Sequence, residues 1–401
     1  MSHTDRSTDE LATALIHPSY TPPAGFAAVP VPVFKGSTVL FPTVAALRRT
    51  QWVDKSGYTY GLNGTPTTYV LERQLATLEG AQHVLLAPSG LSAITTVNIA
   101  LLKAGDELLL PDNVYGPSRD FAQHELAQWG IAHLVYDPMD VGSLLAVLTP
   151  ATKLVWLEAP GSVTLEFPDL RALVAAVRLH APQAVIALDN TWGAGIAFKP
   201  FDLGDGLAVD LTVHALTKYP SGGADVLMGS IACVDRALHD RLAWTHSRLG
   251  LNVGPNDVEF VLRGLPSVAL RYAAQDAAGR RIAEWCTTRP EFVRVLHPAL
   301  PSSPGHAHWA GLCTAAAGML TVELDARYSS AQVDAFVDAL RLFGIGWSWG
   351  GPQSLAVPYN ASGMRSLPSA YSGVLVRLCI GLESVDDLIA DLTQALSALD
   401  R

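Results

Sequence analysis

The sequence predicts an α/β fold: a mostly parallel, doubly wound sheet with an N-terminal arm and a smaller C-terminal α+β domain. Three observations predict it. Between residues 65 and 265, short apolar runs rich in Val, Ile and Leu alternate with segments whose apolar residues recur at helical spacing. Residues 1–64 mix Pro, Ser, Thr and Gly with apolar runs too short to build a core. Residues 266–401 form a further unit in which strand-like and helical runs are mixed.

In the arm, Pro22-Pro23, Pro30 and Pro32 forbid a long helix, because proline lacks the amide donor and blocks the preceding turn. A segment without its own core must lie on something, and a second subunit would serve. The helical period then begins at 69–78, where Leu71, Leu75 and Leu78 share one face. Strands are predicted at 83–87, 107–110, 133–136, 153–157, 184–188 and 211–215, with helices at 91–103, 117–129 and 169–180 between them. Past Lys218 the chain stays apolar through Met228-Gly229-Ser230-Ile231 and then turns helical. The last unit carries strands at 319–324 and 374–380 and helices at 331–342 and 384–398.

Composition narrows the function classes. Charged residues make up 16% of the chain, against about 25% on average. Hydrophobic residues reach 49%, which suits an oligomer with a large buried interface. The formal net charge of −10, without a basic block, argues against a nucleic-acid partner. Cys233, Cys286, Cys313 and Cys379 are widely spaced and form no Cys-x-x-Cys pair, so reduced thiols are expected. Met1–Arg6 lacks an apolar signal core, and no run approaches membrane-spanning length; a cytoplasmic protein is expected. His306-Ala307-His308 has no further ligands at metal-site spacing, so no metal is expected.

Two strand ends carry chemistry. The run Val185–Leu188 delivers Asp189, and Leu211–Ala215 delivers Thr217 and Lys218 into a Pro-Ser-Gly-Gly turn that stops the strand. Ligands of doubly wound sheets bind beyond these carboxyl ends. A lysine and an aspartate so placed suit pyridoxal 5'-phosphate (PLP): the lysine can form the Schiff base, and the aspartate can keep the pyridine nitrogen protonated. The chain holds only six lysines, so few compete with Lys218. Ser89-Gly90-Leu91 joins the first strand to a helix whose free amides suit a phosphate. Arg377 sits inside the apolar strand Leu375–Ile380, where a buried guanidinium needs an anion, either an internal carboxylate or a ligand.

Asp189-Asn190-Thr191-Trp192 followed by Ala215-Leu216-Thr217-Lys218-Tyr219 resembles the Cys/Met-metabolism branch of fold-type I PLP-dependent enzymes, and within it the bacterial cystathionine β-lyases. The resemblance runs from about Pro18 to the C-terminus. It implies a fold-type I PLP-dependent transferase-like architecture, with Arg263-Gly264-Leu265 as the hinge into the C-terminal domain. It also implies that Ser89, Gly90, Leu91 and Thr217 hold the cofactor phosphate, that Tyr115 stacks on its ring, and that Ser162 borders it. Ser162-Val163 stand where many relatives have Asn-Pro, and the Gly161-Ser162 version is the main pointer to the β-lyase branch. Tyr60 matches a tyrosine that reaches a neighbouring subunit's phosphate and takes part in catalysis with Lys218 and Tyr115. Leu62 stands where relatives often have an arginine, which removes one phosphate cation. Ser348 and Trp349, in Ser348-Trp349-Gly350-Gly351, match a substrate wall, and Arg377 matches the arginine that grips the substrate's α-carboxylate.

The implied function is a carbon–sulfur β-lyase that cleaves cystathionine to homocysteine, pyruvate and ammonia. The alternatives are a sister activity (cysteine desulfhydrase, cystathionine γ-lyase or γ-synthase) or a PLP-binding regulator without turnover. The implied partners are a sulfur amino acid as substrate and further copies of the chain, as a dimer of dimers.

Overall fold

The computed structural model describes residues 10–18, 20–26, 28–361, 363–368, 370–371 and 373–400. The reading of Met1–Arg6 therefore lies outside the described residues. Seven strands form the larger sheet: β1 (His83–Ala87), β2 (Glu107–Pro111), β3 (Ala132–Tyr136), β4 (Thr152–Glu158), β5 (Val185–Asp189), β6 (Leu211–Ala215) and β7 (Gly229–Cys233). Their order is β1-β7-β6-β5-β4-β2-β3. The block from β6 to β3 is parallel, as the alternating pattern predicts.

β7 is the exception. It runs antiparallel between β6 and β1, pairing Ala215 with Gly229 on one side and Ala87 with Gly229 on the other. By sequence this stretch is only apolar, with no strand assigned to it. Its consequence is local to the site. β7 brings the β1 end, with Ser89-Gly90, alongside the β6 end that leads to Lys218.

Helices cover both faces of the sheet. Those that matter for the site are α1 (Leu11–Ile16), α2 (Val44–Arg49), α3 (Pro66–Glu79), α4 (Gly90–Leu101) and α5 (Gly116–Phe121). α3 starts on a capping box at Thr65, has Pro66 in its first turn, and ends on Gly80 in the left-handed conformation. Its Leu71, Leu75 and Leu78 are fully buried. α5 continues through a π turn at Ala122–Leu126, which together fill the helix predicted at 117–129.

The arm is less detached than the sequence suggests. α1 packs on α3, Leu15 enters the main core, and Gln74 Nε2 donates to the Leu15 carbonyl at 3.5 Å. After it, Phe26, Val29 and Leu40 stand 61%, 99% and 89% exposed, which is where the chain does lack a surface of its own to cover.

The second sheet has five strands in the order β10-β11-β12-β9-β8, namely β8 (Phe292–Leu296), β9 (Met319–Leu324), β10 (Gly344–Ile345), β11 (Leu355–Asn360) and β12 (Val374–Cys379). β9 and β12 fall where they are predicted; β8, β10 and β11 add strands that the sequence reading lacks. The helix Val268–Cys286 packs on this sheet and closes a third core with Ile282, Phe336 and Leu392.

Candidate active site

The chemistry-bearing residues converge where the carboxyl ends of β4, β5 and β6 meet the second sheet. Two adjoining cavities lie there, of 180 and 430 Å³. The smaller is lined by Ser89, Gly90, Leu91, Asp189, Thr217 and Leu227, among others. The larger runs outward past Ser348, Tyr359 and Met364. Tyr115, Ser162, Lys218, Trp349 and Arg377 border both.

Close backbone packing fixes the lysine turn. Gly264 ends a helix against the Pro220 and Ser221 carbonyls, and a Cβ there would lie 2.2 Å from the Pro220 oxygen. Arg271 Nη1 donates to the Tyr219 carbonyl at 2.7 Å. Gly350 adopts φ +74°, and a Cβ on it would meet the Tyr219 amide nitrogen at 2.9 Å. The Trp349-Gly350 loop can therefore seat directly on the turn. Lys218 Nζ donates to Ser348 Oγ at 3.2 Å and sits 4.6 Å from the centre of the Trp349 ring. Burial lowers the lysine's pKa, and the nearby Arg377 charge lowers it further, so the amine loses its proton more readily than a surface lysine.

Asp189 lies beside Glu158 in register on the neighbouring strand. Burial raises the Asp189 pKa, while hydrogen bonds from Thr191, whose amide donates to Asp189 Oδ1 at 2.9 Å, oppose the rise. Burial also raises Glu158 well above the carboxylate range, with the Asp189 charge adding to it. Two carboxyl groups on one buried edge raise each other's pKa, and a cation at that edge would relieve the repulsion. Glu158 Oε2 accepts the Tyr115 amide at 2.8 Å and so fixes the start of α5. By sequence Glu158 has no assigned role; only its place beside Asp189 reveals one.

Gly90 opens α4, and a Cβ there would lie 2.7 Å from the Ala215 Cβ. Ser89 Oγ caps the helix by accepting the Ser92 amide at 3.0 Å. By position, the amides of Gly90 and Leu91 have no acceptor inside the helix, and both residues line the smaller cavity. The Thr217 hydroxyl accepts from the Met228 amide at 3.2 Å, which holds it at the same end.

Arg377 is 5% exposed, on β12 between the Trp349 and Tyr359 rings at 5.5 and 5.3 Å. No carboxylate pairs with it among the described residues, and its Nε has no hydrogen-bond partner. The internal salt bridge that could have explained a strand-interior arginine is therefore absent among them. Tyr60 lines neither cavity; it is half exposed and bridged to Thr38. Leu62 borders a separate 40 Å³ cavity with Lys55 and Glu72.

The chain matches the family described as Cys/Met metabolism PLP-dependent enzyme over residues 12–397. It belongs to that family. It is 38% identical over 400 residues to cystathionine beta-lyase of Bordetella avium, covering 98% of each chain. It is 34% identical over 388 residues to cystathionine beta-lyase MetC of Escherichia coli K12, covering 96% of this chain and 97% of that one. The crystal structure of cystathionine gamma synthase from Xanthomonas oryzae pv. oryzae resembles it with a TM-score of 0.87 at 31% identity, covering 98% of each chain.

As in its family, the cofactor of this chain is PLP. The smaller cavity fits it on this structure's own terms. It offers a buried lysine, two neighbouring carboxyl groups with no salt bridge among the described residues, and helix-start amides with no acceptor inside their own helix. Among the described residues, no helix is long and apolar enough to cross a membrane.

Proposed function

We propose that this protein is a carbon–sulfur β-lyase acting on cystathionine, releasing homocysteine, pyruvate and ammonia. The observation that carries the reading is the shared border of the two cavities. A lysine of lowered pKa, an aromatic hydroxyl and a buried arginine with no salt bridge among the described residues face one volume. Bound PLP supplies the electron sink for a negative charge developing at the substrate's α-carbon.

The chain's own residues supply the rest. Asp189 would hold the cofactor's ring nitrogen, Tyr115 would support its ring, Ser89, Gly90, Leu91 and Thr217 would hold its phosphate, and Ser162 would border it. Arg377 grips the α-carboxylate, assisted by Ser348 and Trp349, and so fixes the Cα–H bond relative to Lys218. Lys218 Nζ takes that proton; the Cβ–S bond breaks, and the thiolate leaves with a proton returned from Nζ or from the Tyr115 hydroxyl. The remaining enamine hydrolyses to pyruvate and ammonia.

The same reading places the protein in the reducing cytoplasm, supported by four unpaired cysteines. It makes the active unit at least a dimer and, as a pair of dimers, a tetramer, with Tyr60 completing a neighbour's site. It treats residues 1–64, 65–265 and 266–401 as arm, PLP-binding domain and small domain. A second reading, γ-elimination or γ-replacement, is favoured by the likeness to the Xanthomonas protein.

Chromatographic analysis of the 2-oxo acid released by purified, PLP-loaded protein separates the readings. Pyruvate from cystathionine is expected; 2-oxobutyrate instead would establish γ-elimination. Lys218→Ala is expected to abolish pyruvate release and the borohydride-fixable attachment of cofactor, and retention of that attachment would move the role to another lysine.

A further inference from the structure

The larger cavity has a charge imbalance that chemistry at the α-carbon does not use. Arg119, Lys218, Arg365 and Arg377 line it, and among the described residues no Asp or Glu does. Two of these cations are committed by the proposed reaction, Lys218 to proton transfer and Arg377 to the α-carboxylate. Arg365 is neutralised within the protein. Its Nη2 bonds Glu166 Oε2 and donates to Thr164 Oγ1 at 2.8 Å. Glu166 is held in turn by the Tyr371 hydroxyl at 2.9 Å and Asn113 Nδ2 at 3.0 Å.

Arg119 is what remains. Its Nη1 donates to the Met364 carbonyl at 2.6 Å, and it has no ion pair among the described residues. Of a guanidinium's five donors, one is engaged. Its position in the cavity follows from the helix. Arg119 comes four residues after Tyr115, and its amide reaches the Tyr115 carbonyl at 3.4 Å. The two side chains therefore share one face, with Arg119 about 6 Å farther along the axis. Tyr115 borders both cavities, whereas Arg119 borders only the outer one. The facing wall is fixed, because Asp112 accepts the Ser366 amide at 2.7 Å and the Leu367 amide at 3.2 Å.

We propose that Arg119 is a specificity-determining residue that binds a second, distal carboxylate on the substrate side chain. The assignment rests on the larger cavity being the amino-acid site of the proposed lyase. Arg377 and Arg119 then hold the two carboxylates of a dicarboxylic thioether, with the Cβ–S bond between them. A short monocarboxylic substrate leaves Arg119 facing water and forgoes one charge-assisted contact.

Pyruvate release from cystathionine and from S-methylcysteine tests this in wild-type, Arg119→Met and Arg119→Lys holoenzymes. Arg119→Met is expected to lower the cystathionine-to-S-methylcysteine ratio of kcat/KM by about ten- to a hundredfold, mainly through KM. Arg119→Lys should keep part of the ratio, because it keeps the charge. An unchanged ratio in Arg119→Met overturns the proposal, whether both activities fall together or neither does. A titration that needs no turnover separates this from failure of the lyase reading. Binding of 2-aminopimelate and norleucine is followed through the cofactor absorbance of the same holoenzymes. Wild type should prefer the dicarboxylate and Arg119→Met should not; equal preference in both proteins overturns the assignment whatever reaction is catalysed.

Discussion

At the scale of single residues, the proposed site leaves charges incomplete. Arg377 is buried between two aromatic rings with no carboxylate beside it among the described residues. A guanidinium in that state costs folding free energy that a bound anion offsets. Arg377→Ala is therefore expected to raise KM for amino-acid substrates by about ten- to a hundredfold, the range of one charge-assisted bond. Steady-state kinetics alongside a denaturation curve checks it. Unchanged KM with lower stability would mean that the arginine is structural. Lys218 follows the same logic: the burial and neighbouring arginine that make its ammonium form unfavourable are what fit it to accept a proton.

At the scale of elements, α3 ties together the two strands that deliver Asp189 and Lys218. Its last residue, Glu79, is fully buried, with Asn190 Nδ2 at 2.8 Å, Thr212 Oγ1 at 3.2 Å and His214 Nδ1 at 2.8 Å. Asn190 directly follows Asp189, and Thr212 and His214 lie on β6. One carboxylate thus fixes the ends of β5 and β6 relative to each other. Glu79→Ala leaves several buried polar groups unpartnered and is expected to cost about 3 kcal/mol. Glu79→Gln, which keeps one acceptor oxygen, should cost less. Urea unfolding monitored by tryptophan fluorescence measures both, and a change below about 0.5 kcal/mol for Glu79→Ala would remove Glu79 from this role.

At the scale of the whole molecule, the single chain leaves its own design incomplete at the arm. Val29 and Leu40 stand almost bare, and Tyr60 reaches neither cavity of its own chain. The proposed dimer would cover this apolar surface. With a two-fold axis, each arm would complete the opposite site. Separately inactive Tyr60→Ala and Lys218→Ala proteins, mixed under subunit exchange, are then expected to recover about a quarter of wild-type activity, since half the dimers are hybrids with one intact site. No recovery after exchange is verified by mass would exclude a shared site.

What the sequence determined by itself is the placement of Lys218 and Asp189 at strand ends, because that information is local. A β-branched run, a stop and a lysine or aspartate lie within ten residues of one another, and Lys218 and Asp189 are read from such patterns. The parallel block of the sheet is legible for the same reason, as each strand and helix announces its own period. Tertiary structure alone decided what depends on distant partners. β7 is five residues of apolar chain until its pairing with both β1 and β6 makes it an antiparallel strand. Glu158 is an ordinary strand-end acid until register sets it beside Asp189. Arg119 and Met364 are 245 positions apart, and no local pattern links them. Whether an arginine is paired or open is a property of the space around it, and that space is built by segments the sequence lists far apart.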